Sequence, residues 1–333
     1  MSDIIEANGL TKAYVTSQKV VDGVSFSVGD GEVFSLLGPN GAGKTTTIRM
    51  LTTLTALTEG TAKVAGHDVR TEQKAVREAI GVVPQEVTLD NELKGIENLL
   101  LAAKLQHVPG SIARERAVEL LRMVELESSA NKRVVTYSGG MKRRLQLVAA
   151  LVHQPKILFL DEPTVGLDIQ TRTRIWDYLE RLNEKQGVTI FMTTHYLEEA
   201  DKLSDIVAIM DHGTIKMTGT PAELKGSLHG DALTLTVEEG SEDLSGFLGS
   251  IPGVTDVVRE HGSYRMKLPK VESALPMIIT KVASRNLKIV ETSFSKPTLD
   301  QVFLEVTGRS MRDADESNGN HDRYSEVHAR ETR

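Results

Sequence analysis

The fold of this chain is decided by Gly38-Pro39-Asn40-Gly41-Ala42-Gly43-Lys44-Thr45. This stretch directly follows the apolar run at residues 33–37, and residues 46–57 after it can form a helix. A strand, a glycine-rich loop and a helix in this order are the context that the phosphate-binding pattern G-x-x-x-x-G-K-[ST] requires. The sequence therefore predicts a nucleoside triphosphate site on an α/β fold.

The residue types of this loop suit a phosphate group. Its three glycines allow backbone angles that other residues avoid, so that successive N–H groups can turn toward an anion. Lys44 supplies a mobile cation for the outer phosphates, and Thr45 offers a hydroxyl to magnesium. A dinucleotide fingerprint fits less well, because Thr46 stands where its last glycine would be. A chance glycine-rich turn is the other alternative, and the flanking strand and helix argue against it.

The composition is typical of a globular protein with one large and one small domain. Hydrophobic residues make up 40% of the 333 positions and charged residues 26%, and no apolar run approaches the length of a membrane span. The amino terminus lacks the pattern of a secretory signal. The absence of cysteine excludes disulfides and thiolate metal sites and fits a reducing compartment. A net charge of −7 argues against a general nucleic-acid binder, so no nucleic-acid partner is expected.

Strands and helices are predicted to alternate over the first two thirds of the chain, as in an α/β sheet with crossover helices. The predicted strands are 4–10, 24–28, 33–37, 60–64, 157–160 and 188–193, with a hairpin at 206–210 and 214–218; the predicted helices are 46–57, 71–80, 141–153 and 170–185. Apolar residues recur at helical intervals from 93 to 126. The helical block at about 93–153 interrupts the alternation and is expected to form a separate lobe.

A second, smaller domain is predicted after a composition change at residues 225–231. The order there is strand 233–237, helix 242–250, strands 254–259 and 263–268, helix 272–285 and strand 287–294. This β-α-β-β-α-β order is that of a ferredoxin-like α+β domain. We therefore expect domains at 1–225 and 232–308, followed by a charged, disordered tail at 309–333.

Two carboxylates, Asp161 and Glu162, end the apolar strand at 157–160. Adjacent residues on a strand point in opposite directions, so the two should have different roles. We expect Asp161 to face a magnesium ion and Glu162 to orient or deprotonate an attacking water. Two surface acids at a strand end are the ordinary alternative, which is disfavoured beside a phosphate loop.

A second candidate anion site is Ser138-Gly139-Gly140, which opens the predicted helix at 141–153. Taken alone, a serine followed by two glycines is more often a simple N-cap. Together with the phosphate loop and the two carboxylates, the stretch indicates a second contact to phosphate.

At this point the chain resembles the nucleotide-binding subunit of an ATP-binding cassette (ABC) transporter. The resemblance rests on the phosphate loop, Ser138-Gly139-Gly140-Met141, Leu160-Asp161-Glu162-Pro163 and His195, in the family's order and spacing, and covers residues 3 to about 225. It implies a P-loop NTPase cassette with a helical subdomain, using ATP and Mg²⁺. It also implies a homodimer in which Ser138 and Gly140 of one subunit cap the nucleotide of the other.

The resemblance assigns roles to individual positions. It implies that Tyr14 stacks on adenine, although an ordinary strand tyrosine is an open alternative. Gln85 is implied to sense magnesium and the γ-phosphate, and to contact the membrane subunit. The nucleotide-binding set is Tyr14, Gly38, Pro39, Asn40, Gly41, Ala42, Gly43, Lys44, Thr45, Thr46, Ser138, Gly139, Gly140 and Asp168; the magnesium set is Thr45, Gln85 and Asp161; the catalytic set is Glu162, His195, Gln85 and Lys44.

Two positions depart from the family signature, and one segment narrows the resemblance. Met141 stands where the family usually has glutamine, and Tyr137 where it usually has leucine. This puts a glutamine contact in doubt. The stretch at 297–303 resembles drug-resistance efflux subunits of the daunorubicin/doxorubicin type, as does the signature followed by residues 142–144. A solvated helix face is the alternative for those three basic residues.

The function implied is an ATPase that powers a separate transmembrane permease, in a drug or lipid-like efflux system. A subunit of this kind would lie peripherally on the cytoplasmic face of the cell membrane. A soluble cassette ATPase of translation or DNA maintenance is a rival, but the chain shows neither a second phosphate loop nor a long coiled coil. A regulatory ATPase not coupled to transport is the other rival. The sequence selects no cargo.

Overall fold

The computed structural model describes residues 3–15, 18–228, 230–238, 243–260, 262–285, 287–311 and 313. The strands are β1 (Asp3–Val15), β2 (Gln18–Gly29), β3 (Val33–Leu37), β4 (Glu59–Val64), β5 (His67–Asp68), β6 (Ile80–Val83), β7 (Ile157–Asp161), β8 (Thr189–Thr194), β9 (Ile206–Asp211), β10 (Thr214–Gly219), β11 (Asp231–Val237), β12 (Thr255–Glu260), β13 (Ser263–Leu268) and β14 (Ile289–Ser295). The helices are α1 (Lys44–Leu51), α2 (Gln73–Ala79), α3 (Gly95–Leu105), α4 (Gly110–Met123), α5 (Gly139–Ala149), α6 (Ile169–Gln186), α7 (Leu197–Leu203), α8 (Pro221–Gly226), α9 (Ser245–Gly249), α10 (Val271–Ala283) and α11 (Leu299–Thr307).

A six-stranded sheet in the order β10-β9-β3-β8-β7-β6 carries the phosphate loop. Its strands β9, β3, β8, β7 and β6 are parallel, and β10 closes the edge as an antiparallel hairpin partner of β9. Every residue of β3, β7 and β8 is buried, as expected of central strands covered on both faces. Since parallel strands end at one edge, the loop after β3 and the carboxylates at the end of β7 meet there. The predicted α/β fold is confirmed.

Two hydrophobic cores lie on this sheet. One packs α1 and the antiparallel sheet β2-β1-β4-β5 against it, with Phe34 and Phe191 stacked at 5.3 Å between ring centroids. The other, the helical core, contains the apolar faces of α3, α4, α5 and α6 together with side chains of β7 and β8. The helical block therefore shares its core with the sheet rather than enclosing one of its own.

A second compact unit runs from Ala222 to Gly308. Its sheet has the order β12-β13-β11-β14 with antiparallel neighbours throughout. Leu233, Leu235 and Tyr264 of the sheet are buried in one core with side chains of α9 and α10. Both the strand order and the helices' positions are ferredoxin-like, as predicted.

The main differences from the sequence prediction concern where elements begin and end. Strands β1 and β2 extend well beyond the predicted ranges 4–10 and 24–28. The helix after the phosphate loop ends at Leu51 rather than 57, where Thr53 adopts a φ of 62° and the N–H groups of Leu54 and Thr55 return to the Arg49 carbonyl. The predicted helix 242–250 is short, and residue 242 lies outside the described residues. Helix α11, capped by Thr298, was not predicted. Most of the tail expected to be disordered, including residues 314–333, also lies outside the described residues.

Candidate functional site

The phosphate loop connects β3 to α1 through glycine conformations that its neighbours enforce. Gly41 and Gly43 have φ of 78° and 106°, in the left-handed region that favours glycine. A Cβ at Gly43 would lie 2.7 Å from the Val20 carbonyl oxygen, and one at Gly38 would collide with the Met210 carbonyl. The loop therefore has no room for side chains at Gly38 and Gly43, and its backbone is held close to β2 and β9.

Lys44 is buried at the first turn of α1, with 4% of its surface exposed. Its Nζ donates to the carbonyl oxygens of Gly38 at 2.7 Å and Pro39 at 3.0 Å. The same ammonium lies 3.2 Å from Glu162 Oε1. The cation predicted to bind outer phosphates is thus held inside its own loop and paired with the predicted catalytic carboxylate.

Asp161 lies at the end of β7 and faces α1. Its Oδ1 accepts hydrogen bonds from Thr45 Oγ1 at 3.0 Å and from Thr193 Oγ1 at 2.6 Å. Within the described ranges no three His, Asp or Glu side chains converge as a metal cluster. Magnesium keeps several waters and takes few protein ligands beside substrate phosphates, so the Thr45 hydroxyl and the Asp161 carboxylate fit it chemically.

Glu162 points away from Asp161, toward three other candidate residues. Its Oε2 lies 3.2 Å from His195 Nδ1, and Gln85 Nε2 donates to it at 3.5 Å. Burial alone would raise the pKa of the Glu162 carboxyl, but His195 and Lys44 outweigh it and hold that pKa below its ordinary value. The carboxylate is therefore ionised and surrounded by donors.

The backbone at Glu162 is also unusual. Its φ of 47° lies in the left-handed region, which is rare for a side-chain-bearing residue and recurs at functional sites. The conformation is held because the Glu162 N–H donates to both the carbonyl and the hydroxyl oxygen of Thr193, each at 3.1 Å. Strand β8 thus fixes both carboxylates, since Thr193 also binds Asp161.

A second group of candidate residues lies where α5 meets α6. Ser138 is the exposed N-cap of α5, and its Oγ accepts a bond from the Met141 N–H at 3.3 Å. Asp168 caps α6 by accepting from the Thr171 N–H at 2.9 Å and the Thr171 hydroxyl at 2.7 Å. A Cβ at Gly140 would lie 2.7 Å from Thr171 Cγ2. Gly140 therefore allows the close approach that brings this group together, and Gly139 is exposed beside it.

Tyr14 lies near the end of β1 with 54% of its surface exposed. The Lys12 ammonium sits 4.9 Å from its ring centroid. The ring is therefore accessible for stacking, as a tyrosine that contacts adenine would need to be.

The two departures from the family signature have a structural account. Tyr137 is buried, and its hydroxyl donates to the Ser129 carbonyl at 2.6 Å. A Cβ at Gly95 would collide with that hydroxyl, so the tyrosine fits because the start of α3 is a glycine. Met141 is partly buried and packs against the helical core.

Arg143 is the main site residue that the sequence did not indicate. A solvated helix face is the alternative that the sequence allows for residues 142–144, but Arg143 is buried, with 5% of its surface exposed. Its guanidinium donates to the carbonyls of Pro84 at 2.6 Å, Pro163 at 2.7 Å and Glu162 at 3.0 Å. Burial lowers its pKa to about 10. One sequence signal could have indicated that Arg143 is buried. It precedes the apolar Leu147 by four residues, so both lie on the same face of α5.

Glu199 on α7 is a second buried group that sequence reasoning missed. It is fully buried and accepts hydrogen bonds from Thr164 Oγ1 at 2.9 Å and Trp176 Nε1 at 3.0 Å. Burial raises its pKa. The residue links the segment after Glu162 to the helix that follows His195. Nothing in the sequence distinguishes it from the neighbouring Glu198.

A glycine loop around a lysine, followed by two carboxylates at the same sheet edge, defines a P-loop nucleoside triphosphatase. Comparison with protein families agrees: residues 21–165 match the ABC transporter model, and residues 219–307 match the C-terminal domain of DrrA1-3-like ATP-binding proteins. None of the helices in the described ranges has the length and hydrophobicity of a membrane span.

Curated relatives match along nearly the whole chain. The daunorubicin/doxorubicin resistance ATP-binding protein DrrA of Streptomyces peucetius is 40% identical over 93% of this chain and 94% of its own. The linearmycin resistance ATP-binding protein LnrL of Bacillus subtilis (strain 168) is 36% identical over 93% of this chain and 100% of its own. The chain belongs to the family of ABC transporter ATP-binding subunits.

A solved structure supports the fold of the first unit. An ATP-binding cassette, solved as a dimer in a post-hydrolysis state with ADP and Pi, superposes with a TM-score of 0.60 at 28% identity. The superposed region covers 65% of this chain and 98% of the solved cassette. This protein is accordingly an ATP-binding and ATP-hydrolysing subunit of an ABC transporter, as predicted.

Proposed function

We propose that the protein is the ATPase of an exporter for amphipathic drug-like or lipid-like molecules, acting as a homodimer on a separate permease. The support for this cargo class is the nature of the relatives, which are named for resistance to daunorubicin, doxorubicin and linearmycin. The subunit lies peripherally on the cytoplasmic face of the membrane. The observation that carries the proposal is the cluster of Lys44, Asp161, Glu162 and His195 at one sheet edge.

The chemistry follows from the arrangement of these side chains. Lys44 exchanges Glu162 for the outer phosphates of ATP. Thr45 and Asp161 would hold magnesium, which would neutralise charge on the phosphates. Glu162 then accepts a proton from water as the water oxygen bonds to the γ-phosphorus and the bond to the β-phosphate oxygen breaks. His195, next to Glu162, orients the γ-phosphate, and Gln85 senses the presence of the γ-phosphate.

The second group of residues supports dimerisation. Ser138 and Gly139 are exposed at the N-terminus of α5, where the helix dipole and free N–H groups favour an anion. Asp168 sits beside them through Thr171. In the proposed dimer this end of α5 contacts the γ-phosphate bound by the partner, and Tyr14 stacks on the adenine of its own subunit.

A groove in the first unit supports a permease partner. It has a volume of about 410 Å³ and is lined by α3, α5 and β6, with exposed Leu54, Leu101 and Leu105 at its rim. Gln146 in its floor donates to the Glu86 carbonyl at 2.7 Å. Thr88 and Leu89, which follow Gln85 in the chain, also line this groove. An apolar groove of this kind suits a short helix of a membrane subunit.

Dimerisation and catalysis can be tested with one pair of variants. Glu162→Gln should keep ATP affinity and lose ~10²- to 10⁴-fold in turnover, because only the proton acceptor is removed. In saturating Mg·ATP this variant should run as a dimer in size exclusion with light scattering. Adding Ser138→Arg should keep ATP binding by calorimetry and leave a monomer.

Two results would contradict the proposal: normal steady-state hydrolysis by Glu162→Gln, or a dimer that persists with Ser138→Arg. The rival regulatory ATPase is tested by phosphate release with and without membranes that contain the permease. A rate that the permease does not change, and no co-purification with it, would favour the rival.

A further inference from the structure

Glu199 is a fully buried carboxyl group that the proposed chemistry does not use. Its Oε1 accepts two hydrogen bonds, from Thr164 Oγ1 at 2.9 Å and from Trp176 Nε1 at 3.0 Å. Both donors are buried as well. A buried donor that loses its acceptor is costly away from water, so each of these bonds fixes the groups that make it. Glu199 therefore joins two other segments of the first unit at one point.

The segments that Glu199 joins are those that carry Glu162 and His195. Thr164 lies two residues after Glu162 in the chain. On the other side, the Glu199 N–H donates to the Tyr196 carbonyl at 3.1 Å, directly after His195. Glu162 and His195 touch each other at 3.2 Å between Oε2 and Nδ1. The bond between Glu199 and Thr164 thus connects the same two segments a second time.

Helix α6 contacts the His195 segment at two levels. Arg172 and Trp176 are four residues apart and therefore lie on one face of α6. The Arg172 guanidinium lies 4.2 Å from the centroid of the Tyr196 ring, and that ring lies 4.2 Å from the His195 ring. One turn further along, Trp176 binds Glu199. The backbone and the ring next to His195 are both held by α6.

We propose that Glu199 is a positioning residue for ATP hydrolysis, which fixes the segment of His195 against the segment of Glu162. The inference rests on the roles proposed above for these two side chains. Their direct contact changes when His195 turns to a phosphate, whereas the bonds of Glu199 involve neither side chain and can persist. A displacement of about 1 Å between reacting groups can lower a rate by ~10²-fold, so a second connection has catalytic value.

Glu199 acts here as a hydrogen-bond acceptor. Burial raises the pKa of its carboxyl group, and the hydrogen bonds from Thr194, Trp176 and Thr164 and the positive charge of Arg172 only partly offset this effect. The neutral acid is therefore favoured. Glutamine has nearly the same shape, and its amide oxygen can accept both bonds.

The test is steady-state ATP hydrolysis by the purified full-length chain over a range of ATP concentrations. Glu199→Leu should lower kcat by ~10²-fold, because both bonds are lost and the two segments can shift. KM for ATP should stay unchanged, since the phosphate loop is not touched. Glu199→Gln should keep most of the wild-type kcat.

A milder variant removes the same connection from its other end. Thr164→Val keeps the shape of the side chain and deletes only the hydroxyl donor. It should lower kcat in the same way but to a smaller extent, again without a change in KM. Should Glu199→Leu fail to fold, Thr164→Val and Glu199→Gln carry the test.

Two controls separate positioning from stability. Leu182→Ala opens a cavity on α6, in the same unit but further from the site, so it should lower the urea midpoint and keep kcat. The midpoints are followed by circular dichroism, because the tryptophan itself contacts Glu199. Glu198→Leu, at the exposed neighbouring position, should match the wild type.

Wild-type kcat in Glu199→Leu or in Thr164→Val overturns the proposal. So does a Glu199→Gln chain no more active than Glu199→Leu, or an equal loss of kcat in Leu182→Ala. Glu162→Gln is assayed in parallel. If it hydrolyses ATP normally, the proposed chemistry itself fails; if it is inactive while Glu199→Leu is fully active, only the role of Glu199 is wrong.

Discussion

Glu162 is held between Lys44 and His195, and this arrangement makes the ionisation of Glu162 part of the protein's stability. Lys44 and His195 lie 3.2 Å from its two carboxylate oxygens, and together they lower its pKa despite burial. A carboxyl whose pKa is lower in the folded chain stabilises the fold above its unfolded pKa. That contribution is lost as the pH falls through the folded value.

We therefore predict that the stability advantage of the wild type over Glu162→Gln narrows below about pH 4.5, the ordinary pKa of the Glu162 carboxyl. Urea unfolding without nucleotide, followed by the fluorescence of Trp176, measures the difference, since this single tryptophan is buried in the same unit. Glu162→Asp keeps a carboxylate and should follow the wild-type slope. Parallel curves for wild type and Glu162→Gln down to pH 3 would contradict the linkage.

At the residue scale, the sequence was sufficient to locate the functional residues that belong to a short local motif. Lys44, Thr45, Asp161 and Glu162 follow directly from the glycine loop and from the end of an apolar strand. Arg143 could not be found in that way, because its hydrogen-bond acceptors are backbone carbonyls near residues 84 and 162 that only the folded chain brings together. Carbonyl acceptors leave no mark in the sequence.

At the scale of elements, α5 is the helix on which the site depends. It is buried on two faces, because Leu145 and Val148 pack into the helical core while Arg143 and Gln146 bind the backbone beyond the ends of β6 and β7. The hydrophobic periodicity predicted the first face only. A polar face that is satisfied by carbonyls looks solvated in the sequence.

Arg143→Leu should lower the free energy of unfolding by about 2–4 kcal/mol, since several buried carbonyls lose their donor. The urea midpoint read from Trp176 measures this, as the tryptophan belongs to the same core. The control is Lys142→Ala at the preceding position, where one bond to Asn91 is exposed. A change within about 0.5 kcal/mol is expected there. Equal effects of the two substitutions would refute the assigned importance of Arg143.

Helix ends show why element bounds were harder to predict than element types. Residues 52–58 continue from α1 without proline or glycine, but four of the seven are threonine, and the chain turns out of the helix at Thr53. Strand β3 was predicted to the residue because both its ends are set by turns. The N-cap at Thr298 that starts α11 lay inside a segment considered only for its resemblance.

At the scale of the whole molecule, the groove lined by α3, α5 and β6 allows the proposed permease contact to be tested. Leu101→Glu with Leu105→Glu places charge on its exposed rim, outside the nucleotide site. ATP hydrolysis by the purified protein should be unchanged, while co-purification with the permease and drug resistance of the host cell should be lost. The matched control is Val118→Glu, an exposed apolar residue of α4 away from the groove. Retained co-purification in the double variant would exclude this docking site.

Helix α5 contacts the proposed dimer contact, the nucleotide site and the groove. Ser138 caps the start of α5 and would face the proposed partner. Arg143, in the second turn, donates to the carbonyls of Pro84, Pro163 and Glu162. Gln146, further along, lines the groove. The Arg143 bonds, at 2.6–3.0 Å, leave little slack. In the proposed assembly, one continuous helix would therefore join the nucleotide of the partner subunit to the groove proposed for the permease.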